Sequence, residues 1–357
     1  METNIIHHED SIKLMKTLPD ESINLIFADP PYNLQLKNTL LRPNQSKVAG
    51  VDDEWDKFKS FKHYDDFSIE WLKESKRILK NDGTIFVIGS YHNIFRVGNI
   101  MMDLGYWILN DIQWYKSNPM PNFRGVRFTN ATETIIWAKK SEKSKYVFNY
   151  QVMKKLNNGK QMTSVWKIPL CRGVERIKDE NGKKAHSTQK PEEILKRIIL
   201  AGSNEKDIIL DPFGGTGTTA AVAKKLNRQY IVIEKEKKYV KIIDDRLNSI
   251  CPDDFKHLKL SEPIKKILQK VSMQKLIKYK YINPGQKFYA KKGTIMAYVL
   301  PNGNIKNNTF EGSIHKMGAY IKETDGCNGW TFWYYKENDN FKLIDNLRIK
   351  YREENGI

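Results

Sequence analysis

The stretch Asp29-Pro30-Pro31-Tyr32 places a carboxylate, two prolines and an aromatic ring at the end of an apolar run. That run, Ile23–Ala28, has the length of a strand, and the doubled proline ends it because proline lacks the N–H that a central strand donates. Open α/β sheets bind their ligands at the carboxyl ends of their strands. These four residues are therefore candidate catalytic residues, and the alternative is an ordinary β-turn.

A glycine-rich turn, Asp211-Pro212-Phe213-Gly214-Gly215-Thr216-Gly217, follows a second apolar run and leads into an alanine-rich helix. Glycine lets a backbone approach a ligand closely, and the amino end of a helix favours electron-rich groups. Glu234 ends the next predicted strand, where a carboxylate can accept hydrogen bonds from ribose hydroxyls. The turn lacks the Gly-x-Gly-x-x-Gly spacing of dinucleotide-binding proteins, but a nicotinamide-dependent oxidoreductase uses similar logic and is an alternative.

A third polar group, His186-Ser187-Thr188-Gln189-Lys190, comes directly before Pro191, which is predicted to begin a helix. Its side chains offer donors and acceptors that suit the amino-acid end of a zwitterionic ligand. The alternative is that they only cap the helix.

Strands and helices alternate along residues 1–255, which predicts a largely parallel α/β sheet. Asp10 and Ser11 are expected to cap the first helix, which runs through Leu14 to Leu18. The predicted strands are Asn4–His8, Ile23–Ala28, Thr84–Ile88, Trp107–Tyr115, Thr132–Ala138, Asp207–Leu210 and Gln229–Ile233. The other predicted helices are Phe67–Leu79, Ile94–Leu104, Pro191–Leu200, Ala220–Leu226 and Lys237–Ile250.

Three segments interrupt this alternation. Residues 33–61 are polar and without periodicity, which is typical of a lid or a substrate-contacting loop. Residues 116–130 combine prolines, arginines and aromatic rings, which suit nucleic-acid contacts, although a plain connection is the alternative. Residues 146–184 are basic and weakly patterned, and we expect them to leave the sheet. Both of the latter segments are candidate target-recognition excursions.

A change of composition near residue 255 predicts a second domain. Residues 256–270 are predicted to form a linker, and residues 271–357 a small α+β module with strands at Gln286–Tyr289, Ile295–Val299 and Thr331–Tyr335. Residues 259–357 carry 18 lysines and arginines against 9 aspartates and glutamates. The module is therefore predicted to bind DNA, and the alternative is a role in dimerisation or stability.

The whole chain of 357 residues has a formal charge of +18, which gives a positive field that attracts polyanions. The cysteines, Cys171, Cys251 and Cys327, are too far apart to indicate a disulfide framework or a zinc site. No apolar run approaches the roughly 20 residues that span a bilayer, and the first residues lack a signal-peptide pattern. We expect a cytoplasmic protein without a membrane partner.

Together the three motifs resemble those of the S-adenosylmethionine-dependent amino-methyltransferases of DNA. Asp29–Tyr32 is similar to the catalytic motif of that family and Asp211–Gly217 to its cofactor loop, in the permuted order of the beta group. The likeness extends to the Hinf-type and cell-cycle-regulated adenine methyltransferases, which modify adenine in GANTC. It covers almost the whole chain, through the stretches Gly50–Asp56, Asn118–Asn130, Glu175–Glu180 and Ser313–Met317.

The resemblance implies a Rossmann-like methyltransferase domain with a mostly parallel seven-stranded sheet, followed by a small DNA-binding module. It implies that Asp29 and the carbonyl of Pro30 accept hydrogen bonds from the N6 amino group of a flipped adenine, and that Tyr32 stacks on this base. The cofactor contacts that it implies are Asp10, Ser11, His186, Ser187, Thr188, Gln189, Lys190, Asp211, Phe213, Gly215, Thr216 and Glu234. Candidate DNA contacts are Arg42, Asn122, Arg124, Arg127 and Lys316.

The implied chemistry suits these residue types. The N6 lone pair is delocalised into the purine, so acceptors aimed at the amino hydrogens favour a localised lone pair and stabilise positive charge that develops on nitrogen. In-line positioning against the sulfonium does the rest, without a metal. The target atom is buried in the duplex, so the base must be flipped out.

The implied partners are double-stranded DNA, a cognate restriction endonuclease acting on the same site and a second copy of the chain in a homodimer, and the implied location is the bacterial nucleoid. One alternative is a cytosine-N4 methyltransferase of the same fold, whose relatives typically carry serine at the position of Asp29. A DNA-binding protein without catalysis is a further alternative.

Overall fold

A computed structural model describes residues 1–34, 56–122, 125–178, 182, 184–186, 188–250, 270–290, 293, 295–338 and 340–356. Several of the expectations above fall wholly or partly outside these residues: most of the lid 33–61 with Arg42, most of the linker 256–270, Arg124, Ser187, and parts of the stretches Gly50–Asp56, Asn118–Asn130 and Glu175–Glu180. The chain forms two compact units, 1–260 and 261–357.

The first unit is built on an eight-stranded mixed sheet. Its strands are β1 Ile5–His8, β2 Ile23–Ala28, β3 Leu79–Gly89, β4 Trp107–Lys116, β5 Thr132–Lys139, β6 Val165–Ile168, β7 Ile208–Asp211 and β8 Gln229–Glu234. The strand order is β1-β8-β7-β2-β3-β5-β4-β6. The five adjacent strands β1, β8, β7, β2 and β3 run parallel. β5 is antiparallel to both of its neighbours, β3 and β4.

Helices cover both faces of this sheet. They are α1 Ser11–Met15, α2 Phe61–Ile78, α3 Ile94–Asp103, α4 Tyr150–Leu156, α5 Glu192–Gly202, α6 Thr218–Lys225 and α7 Lys237–Asn248. Side chains of β2 alternate between two apolar cores: Leu25 and Phe27 pack with α5 to α7, whereas Ile26 and Ala28 pack with α1 to α3. Burial of both faces explains why the parallel strands are continuous apolar runs.

The predicted elements are present, with shifted bounds at several ends. The largest shift is at α2, which begins six residues before the predicted Phe67, because the hydroxyl of Ser60 accepts a hydrogen bond from the His63 N–H at 3.1 Å and caps the helix earlier.

The expectation that residues 146–184 leave the sheet is wrong for their middle part. Residues 150–156 form α4, and β6 adds an eighth strand beside β4, one more than the seven predicted. Trp166 and Ile168 alternate with exposed residues in β6 and are buried in the core. The apolar pattern of this strand is only four residues long, which is too short to stand out within a basic segment.

The second unit has a six-stranded antiparallel sheet in the order β12-β11-β10-β9-β13-β14. Its elements are α8 Met273–Lys278, β9 Lys287–Ala290, β10 Ile295–Val299, β11 Ile305–Lys306, β12 Glu311–Gly312, α9 Ile314–Lys322, β13 Tyr334–Glu337, β14 Asn340–Leu343 and α10 Asp345–Asn355. One face of the sheet packs on the helices around Phe288, Met317 and Trp333, which are fully buried.

The predicted strand Thr331–Tyr335 is wrong in its first half. Residues Gly329–Thr331 form a short 3₁₀ helix, because the side chain of Asn328 accepts a hydrogen bond from the Trp330 N–H and turns the chain. The strand begins only at Tyr334. Across both units, no helix of the described residues is long and apolar enough to cross a membrane.

Candidate active site

The carboxyl ends of β1, β2, β7 and β8 meet at one edge of the first sheet and surround a cavity of about 370 Å³. Since parallel neighbours end together, motifs far apart in sequence become adjacent there. All the predicted catalytic and cofactor residues within the described chain line this cavity: Asp10, Ser11, Asp29, Pro30, Pro31, Tyr32, His186, Thr188, Gln189, Lys190, Asp211, Phe213, Gly215, Thr216 and Glu234.

Asp29 follows β2 and faces the cavity with its two oxygens in different environments. Oδ2 accepts a hydrogen bond from the ammonium group of Lys190 at 2.6 Å. Oδ1 is buried and has no hydrogen-bond partner among the described residues. Burial raises the pKa of Asp29, and the positive charge of Lys190 opposes this rise. A buried acceptor without a donor is costly, so this edge of the cavity is suited to a ligand that donates a hydrogen bond.

The ring of Tyr32 is held by a residue that the sequence analysis did not nominate. The hydroxyl of Tyr32 donates to Oε2 of Glu133, which lies at the start of β5, at a distance of 3.0 Å. Oε1 of the same carboxylate pairs with Lys116, at the end of β4, at 2.8 Å. In the sequence, Glu133 differs from an ordinary surface residue only in that it lies within a predicted strand whose later residues are apolar.

Asp56 fixes the turn that follows the catalytic motif. Oδ1 accepts hydrogen bonds from the backbone N–H groups of Tyr32 at 2.6 Å and Asn33 at 2.9 Å, and Oδ2 accepts from the N–H of Leu34 at 2.9 Å. The hydroxyl of Tyr64 donates to the carbonyl of Pro31 at 2.9 Å. Asp56 belongs to the stretch Gly50–Asp56 noted above, but the sequence analysis gave it no role.

The glycine-rich turn fits tightly against the sheet and α7. A Cβ on Gly214 would lie 2.4 Å from Cγ1 of Val232, and one on Gly217, which has φ +69°, would lie 2.6 Å from Cγ2 of Ile243. Only glycine fits at these positions without a shift of the backbone or the core. Arg246 in α7 also donates to the carbonyl of Thr216 at 3.0 Å and thereby holds the turn.

Two more carboxylates face the cavity from β7 and β8. Asp211 accepts hydrogen bonds from the Phe213 N–H and the Thr219 hydroxyl, and burial raises its pKa to about 7. Glu234 accepts from the N–H groups of Gly215 at 2.7 Å and Glu236 at 2.8 Å, and burial raises its pKa as well. This crowding of buried carboxylates suits a cavity whose ligand carries positive charge.

The segment before α5 has two functions in the structure. Burial, together with nearby cations, lowers the pKa of His186 to about 4, so its ring is neutral at pH 7 beside the glycine turn. The amide of Gln189 bonds backbone groups instead: it accepts from the Ile177 N–H at 2.9 Å and donates to the Glu175 carbonyl at 2.7 Å. Gln189 therefore anchors residues 175–177 to the segment before α5.

Asp10 and Ser11 lie at the end of β1. Oδ1 of Asp10 accepts from the N–H groups of Ile12 and Lys13, which confirms the predicted cap of α1. Ser11 is buried in the first turn of that helix.

The described candidate DNA contacts do not belong to the cavity wall. Asn122 and Arg127 lie in the connection between β4 and β5, where the side chain of Phe128 is 99% exposed. The guanidinium of Arg127 lies 5.9 Å from the ring centroid of Tyr91. Lys316 is exposed on α9 of the second unit.

Comparison with known proteins follows the division into two units. Residues 23–245 match the model of a DNA methylase family, and residues 261–356 match a model described as Restriction Enzyme Adenine Methylase Associated. The type II methyltransferase M.HinfI of Haemophilus influenzae is 51% identical over 352 residues, which are 98% of this chain and 97% of the relative. M2.LlaDCHI of Lactococcus lactis subsp. cremoris is 47% identical over 69% of this chain and 90% of the relative.

Solved structures show the same architecture. The M1.HpyAVI complex with S-adenosylmethionine is 29% identical, with a TM-score of 0.50, and covers 68% of this chain and 98% of its own. The cytosine-N4-specific PvuII DNA methyltransferase is 24% identical, with a TM-score of 0.54 over 72% of this chain and 92% of its own. The predicted Rossmann-like methyltransferase fold is confirmed.

The contacts of Asp56 lead to a prediction. Asp56→Ala removes a carboxylate that accepts three backbone N–H groups, and we expect the free energy of unfolding to fall by about 2–4 kcal/mol because charge-assisted bonds are lost and donors are left unsatisfied. Urea denaturation measures the change. Asp66→Ala is the control: Asp66 pairs with Lys62 on the exposed face of α2, and its loss should cost less than about 1 kcal/mol. Equal losses in the two variants would contradict the role of Asp56.

Proposed function

Because this chain belongs to the N6/N4 DNA methylase family, we propose that it transfers a methyl group from S-adenosylmethionine to N6 of a flipped-out adenine in duplex DNA, within GANTC. DNA methylation with this cofactor is the activity of the family, and the predicted resemblance to Hinf-type DNA methyltransferases is confirmed. The choice of adenine, the GANTC context and the role of each residue are our proposals.

The cavity fits the cofactor. S-adenosylmethionine supplies an electrophilic methyl group on a sulfonium, which is a good leaving group. The carboxylates of Asp29, Asp211 and Glu234 line the cavity, and burial raises the pKa of each of them. A cationic ligand is therefore favoured there. We assign the ribose end to Glu234, with Asp10 and Ser11 near the adenine ring, and the methionine end to Asp211, Phe213, Gly215, Thr216 and the segment His186–Lys190.

The observation that carries the proposal is Oδ1 of Asp29, which has no hydrogen-bond partner in the described part of the chain. An amino group placed beside it donates one hydrogen to Oδ1, and the carbonyl of Pro30, which also lines the cavity, accepts the other. These two bonds draw the nitrogen lone pair out of conjugation and stabilise the positive charge that forms on nitrogen. The orientation of Asp29 is fixed by Lys190 before any substrate binds, so little reorganisation is needed.

Tyr32 supplies the surface for the base. Its ring lines the cavity, and its hydroxyl is tied down by Glu133. A flipped base gains about 1–3 kcal/mol by stacking on an aromatic ring, and this gain offsets part of the cost of leaving the duplex.

Adenine is favoured over cytosine by two observations. The catalytic motif carries Asp29, whereas the cytosine-N4 enzymes typically carry serine there, and the second unit matches a model described as associated with adenine methylases. Identity of 51% with M.HinfI over nearly the whole chain supports a Hinf-type target, GANTC. Cytosine-N4 methylation is the second candidate. Membership of the DNA methylase family leaves no support for the nicotinamide-dependent oxidoreductase.

We propose that the second unit binds DNA through the solvent face of its sheet. Cross-strand register places Lys287, Tyr298 and Lys306 side by side, and Lys336 opposite Phe341. The ammonium groups of Lys287 and Lys336 lie 5.9 and 5.6 Å from the ring centroids of Tyr298 and Phe341. Lysines interleaved with exposed rings suit contacts to phosphates and bases.

Similarity to type II methyltransferases supports a further proposal about partners. We propose that a cognate restriction endonuclease acts on the same site, that two copies of the chain form a homodimer, and that the protein works at the bacterial nucleoid.

Substitution of the catalytic carboxylate tests the mechanism. Asp29→Ala and the isosteric Asp29→Asn should lower kcat for methyl transfer to duplex DNA by at least about a hundredfold, because an acceptor for charge that develops in the transition state is lost. Titration calorimetry should show that both variants still bind S-adenosylmethionine. Asp103→Ala is the control, since this exposed carboxylate lies on α3 and bonds Asn99. Near-normal transfer by Asp29→Ala would refute the assigned role.

The target is tested by mapping modified bases in DNA from cells that express the chain. We expect N6-methyladenine at GANTC and at no other motif, and expression of Asp29→Ala should leave the DNA unmodified. N4-methylcytosine would favour the second candidate, and N6-methyladenine in another motif would overturn GANTC alone. Unmodified DNA from the wild-type strain would indicate a DNA-binding protein without catalysis.

The proposed surface of the second unit is tested by binding to duplex DNA at several salt concentrations. Lys287→Ala/Lys336→Ala should weaken affinity and lower the slope of log K against log salt by about 1 for each DNA phosphate that the variant no longer neutralises. Lys342→Ala is the matched control, because Lys342 is in register with the buried Tyr335 on the opposite side of the same sheet. Equal effects of the control and the double variant would remove this surface from the proposal.

A further inference from the structure

Four charged side chains, the first of which belongs to Asp29 of the catalytic motif, form a chain of contacts. Asp29 pairs with Lys190 at 2.6 Å, Lys190 lies 4.0 Å from Glu133, and Glu133 pairs with Lys116 at 2.8 Å. Exposure of these side chains ranges from 7 to 20%, so the charges are largely removed from water. Their signs alternate, which compensates a burial that would otherwise be costly.

Glu133 is the centre of this cluster. It contacts Lys116 and Lys190 and accepts the hydrogen bond of the Tyr32 hydroxyl. Burial opposes its ionisation, but the two ammonium groups prevail and hold the pKa of Glu133 below its ordinary value. The carboxylate is therefore ionised at pH 7 and is a charged acceptor for Tyr32. A hydrogen bond to a charged group is stronger than one between neutral groups.

The second effect of Glu133 is on Lys190. The ammonium group of Lys190 donates to one oxygen of Asp29, Oδ2, and also lies 4.0 Å from Oε2 of Glu133. Without that second carboxylate, Asp29 would be the nearest carboxylate to Lys190, which otherwise donates to the Thr188 carbonyl at 3.4 Å, and Lys190 could approach both Asp29 oxygens. The position of Glu133 thus helps to keep Oδ1 of Asp29 available.

We infer that Glu133 is a positioning residue for methyl transfer: it fixes the Tyr32 ring for the flipped base and shares Lys190 with Asp29, so that one Asp29 oxygen stays free for the amino group. The inference deepens the proposed function and rests on it. It also joins the catalytic cavity to the connection at 117–131, since Lys116 and Glu133 stand at the two ends of that connection.

The test compares Glu133→Gln with Tyr32→Phe and with the double variant. Glu133→Gln keeps the shape but removes the charge, and Tyr32→Phe keeps the ring but removes the hydroxyl. Each should lower kcat by about tenfold, the scale of one charge-assisted hydrogen bond. The double variant should lose clearly less than the product of the two losses, because one change weakens and the other removes the same bond between Tyr32 and residue 133. The dissociation constant of S-adenosylmethionine should stay within about twofold, as Glu133 does not line the cofactor cavity.

A pH profile separates positioning from a general structural role. The groups that face Asp29 are Lys190, Glu133, Tyr32 and Asp211. Glu133 raises the pKa of Asp29, so its neutralisation should lower that pKa. If transfer requires ionised Asp29, the acid limb of kcat should move to lower pH in Glu133→Gln. Tyr32→Phe leaves the charge of Glu133 in place, so it should not move the acid limb of kcat to lower pH.

A further variant guards against misfolding. Lys116→Met/Glu133→Gln removes both charges of the buried pair, which is often neutral for stability, and it should show the same lowered kcat and shifted limb. The inference alone would be overturned if the wild-type chain methylates adenine and both Glu133→Gln and Lys116→Met/Glu133→Gln keep its kcat and its pH profile. The proposed function would then stand. A wild-type chain that methylates no adenine would overturn the proposed function, and the inference with it.

Discussion

The ion pair between Asp29 and Lys190 is the interaction on which the site depends. It joins the end of β2 to the segment before α5, 161 positions apart in the chain. Burial opposes the charged form of each group, and the opposite charge of the partner compensates for this. Lys190 also lies near Glu133, which in turn pairs with Lys116. The pair orients Asp29 and occupies Oδ2, whereas Oδ1 has no hydrogen-bond partner among the described residues. Tyr32, which follows in the same motif, is fixed by the same cluster through Glu133.

The order of the parallel strands makes this pairing possible. β2 lies directly between β3 and β7, so the catalytic motif after β2 stands beside the glycine turn after β7, although 182 positions separate Asp29 from Asp211. β8 and β1 continue the same edge and bring Glu234 and Asp10 to the cavity. A permuted chain order therefore has no effect on the geometry of the site, because the sheet fixes which strand ends are neighbours.

The two units differ in how many faces of their sheets are buried. The first unit buries both faces of its sheet, and the polar groups of the cavity lie at the carboxyl ends of its parallel strands. The second unit buries only one face, around Phe288 and Trp333, and leaves lysines and tyrosines on the other. An exposed face of this composition adds little to stability, which is consistent with the DNA-binding role that we propose for it.

The sequence by itself indicated the family through its resemblance. It also indicated the main strands and helices of the first unit and the three motifs that form part of the cavity wall, since these depend on local pattern: an apolar run, a doubled proline, a glycine turn before a helix. Three features were decided only by tertiary structure. β6 joins the sheet through four residues, Asp56 reaches back to cap the turn after Tyr32, and Glu133 meets Tyr32 and Lys116. Each is a contact between chain segments that only the order and register of the strands bring together, and a carboxylate in sequence does not reveal whether it faces water or a buried ammonium group.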